Sequence, residues 1–390
     1  MAAPIFRWPP TLDASSVFSA NKLISTPHAR RSFAAELVSH LRDCGFARIS
    51  NHGVPTSTIK RLFKCHSDFF NLSLSSKLSV RHPGGESPAR GYSPWAYEKT
   101  AVLRPDLHTA TSLGSTTSTA QSLNPSPSLR CSVAIDPTRP LSGTLLDARE
   151  QFAIGPPSDA EFPTPQLAEQ LLPGFNAITR AAYLEIQSTC RRLVDIIEEG
   201  LNVPPNAISN PTAGGEGAEL NLNFYPEVER NVLDDGADTQ TSDKTRLEDS
   251  NDVTMRRIWP HSDLGVVSAL FQDGIGASGL ELQVRESPES EFAPLSIEQE
   301  GDIVLLVSDT LERWTNGYLR AAVHRVGLPP ASSTSGMARV PDRRSAVMFF
   351  RAPPTADVGP LPYFVSAENP ARYEHVTAGE YLKRHNRRLY

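Results

Sequence analysis

Four cysteines in 390 residues (Cys44, Cys65, Cys131 and Cys190) are too few and too scattered to organise a fold. None stands in C-x-x-C spacing. That excludes a thiolate metal site and a disulfide framework, and it suits a reducing compartment. Cys65 and Cys190 lie within helical patterns and are expected as buried apolar fillers. No apolar run reaches 18 residues, and the opening Met-Ala-Ala-Pro-Ile-Phe-Arg lacks the apolar core of a secretion signal. The expectation is a cytoplasmic chain without a membrane anchor. Blocks of basic charge are also missing. The net charge is −6 and spread out, which gives no footprint for nucleic acid.

Proline is abundant, with 33 residues, against a hydrophobic content of 39%. Together they indicate a genuine core interrupted by long polar connections. Residues 29–43 place Phe33, Leu37, Val38 and Leu41 at helical spacing, and Gly45 ends that helix. A short strand follows at 46–49, then a turn at Asn51-His52-Gly53, then a helix at 56–70. His52 reads as a turn histidine bonded to backbone. Arg90-Gly-Tyr-Ser93 reads as a turn. A Thr/Ser-rich insertion at about 105–140 has no periodicity. A long helix at about 174–199, capped by Gly200, is the expected spine. Two polar insertions, Gly214-Gly-Glu-Gly217 and the acid-rich 234–252, flank a strand. In it Leu220, Leu222 and Phe224 alternate with Asn221, Asn223 and Tyr225. Short apolar runs then recur at 257–259, 266–271, 280–284, 303–307, 321–326 and 345–350, and turn residues separate them. They indicate a β-sandwich or barrel with helices mostly before it and a last helix at 378–385.

The chemistry starts at Trp259-Pro-His261-Ser-Asp263-Leu-Gly265. With the apolar run Val266–Phe271 behind it the stretch reads as a buried strand, so His261 and Asp263 project together and Ser262 points away. An imidazole and a carboxylate so placed are two ligands of the facial triad that holds non-haem ferrous iron. Taken alone, the pair reads first as a strand-edge ion pair, and His324, flanked by Val323 and Val326, as a satisfied core histidine. The deciding motif is Asp342-Arg343-Arg344-Ser345. Arg343 and Ser345 share a strand face, and a guanidinium fork beside a hydroxyl clamps a carboxylate. An inward arginine is costly unless an anion meets it. Arg344 would point outward. With His324 as third ligand, three open metal positions remain, which suits a bidentate 2-oxo acid and dioxygen. The N,N,O ligand set with open octahedral positions favours iron over zinc.

These motifs resemble the isopenicillin-N-synthase-like family of Fe(II)/2-oxoglutarate-dependent dioxygenases. The resemblance is carried by Asn51-His-Gly-Val-Pro55, Arg90-Gly-Tyr92, Asn223-Phe-Tyr225-Pro226, His261-Ser-Asp263-Leu-Gly265 and Phe271-Gln-Asp273. It continues in Gly279-Leu-Glu-Leu-Gln283, Arg313-Trp-Thr-Asn-Gly317, Val323-His-Arg-Val326 and Arg343-Arg-Ser345, in family order. It implies a mainly β fold with flanking helices around a double-stranded β-helix, or jelly-roll, core. Residues 1–155 would form the N-terminal region and residues 156–390 the spine helix and catalytic domain. It implies Fe(II) on His261, Asp263 and His324, which are then the catalytic residues. It implies 2-oxoglutarate on Arg343 and Ser345, with Tyr225 and Asn223 near it. Ascorbate would stimulate turnover.

The implied reaction uses dioxygen to oxidise an unactivated C–H bond of a small molecule by hydroxylation, desaturation or cyclisation. Long insertions at 105–140, at 234–252 and between His324 and Arg343 resemble those of fungal tailoring oxygenases of secondary metabolism. A monomer is expected. The alternatives are a 2-oxo-acid-independent iron oxidase of the same fold, a zinc hydrolase using the same three ligands, and a binding module that has lost catalysis.

Overall fold

Strict two-residue alternation builds the larger of two facing sheets. A computed structural model describes residues 7–19, 26–84, 88–103, 145–212, 217–233, 254–285, 291–329 and 338–389. Cys131, most of the Thr/Ser-rich insertion, the acid-rich insertion and the middle of the segment between His324 and Arg343 lie outside the described residues.

The major sheet has eight strands in the order Leu12–Asp13, Phe46–Ser50, Ile303–Val307, Val267–Gln272, Arg343–Phe350, Glu219–Tyr225, Glu150–Ile154 and Gly91–Ser93. The minor sheet has four: Phe292–Ile297, Gly276–Gln283, His324–Val326 and Ile258–His261. The two sheets enclose a small apolar core. Phe46, Leu270, Val304, Leu306 and Val347 come from one sheet, and Leu280, Leu282, Leu295 and Ile297 from the other. The next residues along the same major-sheet strands, Ala47, Ala269, Leu305, Ala346 and Met348, face a second core shared with the helices. This is the expected jelly roll with its helical flank.

The helix Pro27–Cys44 starts at the Thr26 side chain, which accepts from Ala29 N, and stops where Gly45 turns left-handed at φ 85°. The helix Thr56–Phe70 packs against the spine helix Phe175–Gly200. Gly200 does not cap the spine. It is still helical, and Leu201 follows as the cap residue. Its missing side chain serves packing instead, because a Cβ there would lie 2.4 Å from the carbonyl oxygen of Ala34. Cys65 and Cys190 are buried as expected, and burial raises both thiols to about 12. The last helix runs Ala378–Leu389, four residues further than the charge pattern indicated.

Arg90-Gly-Tyr-Ser93 corrects the turn expectation. Gly91 does have a positive φ of 91°, but Gly91–Ser93 is the edge strand of the major sheet. Among the described residues no helix is long and apolar enough to cross a membrane.

Candidate metal and co-substrate site

His261 ends the strand Ile258–His261, and His324 opens the strand His324–Val326. The two are direct antiparallel partners, so the ladder sets their side chains together. Asp263 is not in the strand. The chain leaves the ladder after His261, and Asp263 sits in the following loop, where its carbonyl accepts from Asp309 N at 2.7 Å. The alternation argument for His261 and Asp263 therefore does not apply: the loop, not the strand period, brings Asp263 beside His261. The loop can turn tightly because Gly265 passes the Phe350 carbonyl, which a Cβ would meet at 2.8 Å.

One ligand atom from each of His261, Asp263 and His324 lies within 4.8 Å of the other two, and all three residues are buried. His261 Nε2 is 3.5 Å from Asp263 Oδ1, and His324 Nε2 is 4.0 Å from Asp263 Oδ2. Both Nδ1 atoms donate to main-chain carbonyls, His261 to Trp259 O at 2.8 Å and His324 to Ala322 O at 3.0 Å. That fixes the tautomer and leaves each Nε2 lone pair facing the carboxylate. Burial would raise the Asp263 carboxyl, but His324 and His261 beside it hold it well below the usual range. Burial, with the His261 ring adding to it, lowers His324 to about 4. At neutral pH Asp263 is therefore a carboxylate and His324 a neutral imidazole, the forms that bind a metal. Asp263 Oδ2 is buried without a hydrogen-bond partner among the described residues. A divalent cation fits this donor set and satisfies that oxygen.

The inner face of the major sheet carries the arginine and serine singled out as a carboxylate clamp. Arg343 lies opposite Tyr225, and Ser345 opposite Asn223. Arg343 Nη1 donates to Ser345 Oγ at 3.0 Å, and its guanidinium stands 4.9 Å from the Tyr225 ring centroid. Arg344 points to the other face, as expected, and pairs with Asp342 at 2.7 Å. Asn223 is held twice: its carbonyl accepts from His66 Nε2 at 3.0 Å, and its Oδ1 from Arg149 Nη1 at 3.2 Å. His52 is a turn histidine, bonded to Gly301 O at 2.7 Å.

Sequence reasoning missed four buried residues here. Arg257, 5.9 Å from the Tyr225 ring, adds a second guanidinium beside Arg343. Burial, and then the Arg343 charge, lower it to about 10. The cost of an inward arginine, which picked out Arg343, applies to it equally. Glu98, Arg149 and Gln151 form a chain in which Arg149 pairs with Glu98 and Gln151 Nε2 donates to Glu98 Oε1 at 3.0 Å. No motif marks them.

Two family models match the chain in succession. Residues 10–130 match the N-terminal model of non-haem dioxygenases in morphine synthesis, and residues 220–353 match the 2OG-Fe(II) oxygenase superfamily. The chain is 35% identical over 365 residues to the 2-oxoglutarate-dependent dioxygenase imqE of Aspergillus flavus, covering 93% of this chain and 90% of that one. The chain belongs to the 2OG-Fe(II) oxygenase superfamily. It is a 2-oxoglutarate-dependent dioxygenase, with Fe(II) and 2-oxoglutarate as its cofactor and co-substrate.

The dioxygenase is also 34% identical to phqC of Penicillium fellutanum, with 96% of this chain and 93% of that one covered. Its fold matches that of a full-length Neurospora crassa protein solved in complex with alpha-KG, at a TM-score of 0.70 and 21% identity. That match covers 97% of this chain and 95% of that one.

Proposed function

We propose that His261, Asp263 and His324 hold the Fe(II), and that Arg343 and Ser345 clamp the distal carboxylate of 2-oxoglutarate, flanked by Tyr225 and Asn223. The observation that carries this is the convergence of three buried ligand atoms within 4.8 Å around a carboxylate oxygen that lacks a partner. Bound ferrous iron supplies the oxidising chemistry, with 2-oxoglutarate converted to succinate and carbon dioxide and a substrate C–H bond oxidised. The residues do the rest. Trp259 and Ala322 carbonyls hold the imidazoles in the ligating tautomer. Arg343 meets a distal carboxylate with charge and Ser345 with a hydroxyl.

The substrate is a small organic molecule, and dioxygen is the second co-substrate. The named relatives, imqE and phqC among them, favour a role in fungal secondary-metabolite biosynthesis. The unclustered charge favours no nucleic-acid partner; a monomer in the cytoplasm is expected, with ascorbate stimulating turnover.

Anaerobic titration of the Fe(II) enzyme with 2-oxoglutarate tests the site. A visible charge-transfer band should appear in the wild type and be lost in Arg343→Ala at the same 2-oxoglutarate concentration. Succinate formed in step with dioxygen consumed separates this reaction from a 2-oxo-acid-independent oxidase, which would form none.

A further inference from the structure

Five side chains on the inner face of the major sheet form one row across five strands. Ser93 lies opposite Gln151, Gln151 opposite Asn223, Asn223 opposite Ser345, and Ser345 opposite Gln272. All five are buried. Residues directly opposed in antiparallel strands share a face. The neighbouring row, Tyr92, Phe152, Leu222, Ala346 and Phe271, points the other way into the helix-side core. The polar row is therefore aimed at the space between the sheets, which also receives the metal ligands.

Ser345 and Asn223 belong to the co-substrate half of this row. Ser93 and Gln151 do not. In their half, Gln151 Oε1, Ser93 Oγ and Asn221 Oδ1 are buried and have no hydrogen-bond partner among the described residues. Asn221 lies two residues before Asn223 on the same strand face. Buried polar atoms are normally satisfied, and an orphan is a place where a ligand group belongs. The Gln151 amide is oriented, since its Nε2 donates to Glu98. Its carbonyl oxygen is the open acceptor. The charges nearby are consumed internally, because Glu98 and Arg149 pair with each other. The open groups are thus two amide carbonyl oxygens and a hydroxyl, all uncharged.

We propose that Gln151, Ser93 and Asn221 are the specificity wall of the prime-substrate subsite, and that the wall takes an uncharged lactam. The reading rests on the proposed co-substrate site, which occupies the other half of the row. Gln151 and Ser93 stand on adjacent strands with their Cβ atoms about 5 Å apart, as cross-strand partners do. A lactam edge offers N–H beside C=O. The N–H donates to Gln151 Oε1, and the carbonyl accepts from the Ser93 hydroxyl. Asn221 Oδ1 accepts from a further donor on the substrate. A carboxylate would face two carbonyl oxygens, and an alkylammonium would be stripped of water against neutral groups only.

The test uses anaerobic enzyme loaded with Fe(II) and 2-oxoglutarate. Calorimetry follows the binding of oxindole, a rigid neutral lactam, against N-methyloxindole, which has no N–H, and indole, which has no carbonyl. Oxindole should bind about tenfold or more tightly than either analogue, the ratio expected when a buried polar group is left unpaired. Gln151→Leu should erase the preference over N-methyloxindole. Ser93→Ala should lose the preference over indole alone. Equal binding of the three probes by the wild type, or a preference over N-methyloxindole that survives in Gln151→Leu, overturns the assignment. The wild-type comparison needs no variant to fold. If 2-oxoglutarate itself fails to bind the Fe(II) enzyme, the co-substrate reading falls and this assignment with it. If 2-oxoglutarate binds normally and no lactam preference appears, only this assignment falls.

Discussion

His261 and His324 are register partners on adjacent antiparallel strands, with ring centroids 4.3 Å apart and ring planes inclined at 47°. Neither ring can stack on the other at that angle, and each keeps its Nε2 toward Asp263. The ladder is irregular just beyond His324, before Val326 meets Ile258. Bulges of this kind commonly re-aim side chains at functional sites.

Removing any one of the three ligands should remove the metal. Adding Fe(II) at about 100 times its dissociation constant should stabilise the wild type by about 2.7 kcal/mol, since only the folded chain presents the site. His261→Ala, Asp263→Ala and His324→Ala should show neither this gain nor turnover. Anaerobic thermal melts with and without Fe(II) measure it. A ligand variant with full activity would refute the assignment.

The two arginines over Tyr225 should separate into an affinity effect and a stability effect. Arg343→Ala should weaken 2-oxoglutarate binding by about 2–3 kcal/mol, the value of a charge-assisted pair. Arg257→Gln should weaken it less, by about 1 kcal/mol, through loss of the second positive charge. The same Arg257→Gln change should raise the melting temperature of the co-substrate-free protein, because a buried like-charge neighbour disappears. A lower melting temperature together with unchanged 2-oxoglutarate affinity would make Arg257 a purely structural residue.

Asp147 gives a pH signature. It is fully buried, and burial raises its carboxyl from 3.8 to about 6 despite Arg149 and the Thr100 hydroxyl, which donates to Oδ1 at 2.7 Å. A carboxyl raised in the folded state binds its proton more tightly there than in the unfolded chain. Its effect on stability is thus most favourable below about pH 4, declines between about pH 4 and 6, and is constant above. The decline should amount to about 3 kcal/mol as an upper bound. Urea unfolding of metal-free protein at a series of pH values should show this slope, and Asp147→Asn should flatten it. Parallel curves for the two proteins would remove Asp147 as the source.

At Gly200 two effects oppose each other. Alanine gains up to about 1 kcal/mol of helix propensity. Against that, the new methyl would lie 2.4 Å from Ala34 O, a main-chain atom that cannot swing aside. Overpacking of this kind costs about 1–3 kcal/mol, so Gly200→Ala should be net destabilising. Thermal denaturation decides the sign.

The parts of this protein legible from sequence are those where one strand or helix carries the whole signal. The alternation of Leu220, Leu222 and Phe224 with Asn221, Asn223 and Tyr225 is local, and it assigns both faces correctly. Arg343 and Ser345 are two residues apart on one strand, so their contact follows from the strand period alone. Where a partner comes from elsewhere, the pattern is silent. Gln151 is selected by its position opposite Asn223, and nothing in Glu150–Ile154 announces that pairing. Gly91–Ser93 is too short to show a period, and its glycine imitates a turn. Phe292–Ile297 also escaped, although it alternates between buried and exposed, because a proline sits among its few apolar residues. Asp263 joined the site through a loop, held by a backbone bond to Asp309, which no spacing rule encodes.

The strict alternation of polar and apolar rows across the major sheet limits how this enzyme can vary. One residue inserted into Glu219–Tyr225 or Arg343–Phe350 would exchange the rows beyond it, turning leucine toward the iron chamber and asparagine into the helix-side core. Changes in chain length are therefore confined to the connections between strands, while chemical change within the strands must proceed by substitution at fixed length. New substrate preferences can arise at positions such as Gln151 and Ser93 without disturbing His261, Asp263 and His324, because those three stand on the facing sheet and the loop that follows its strand.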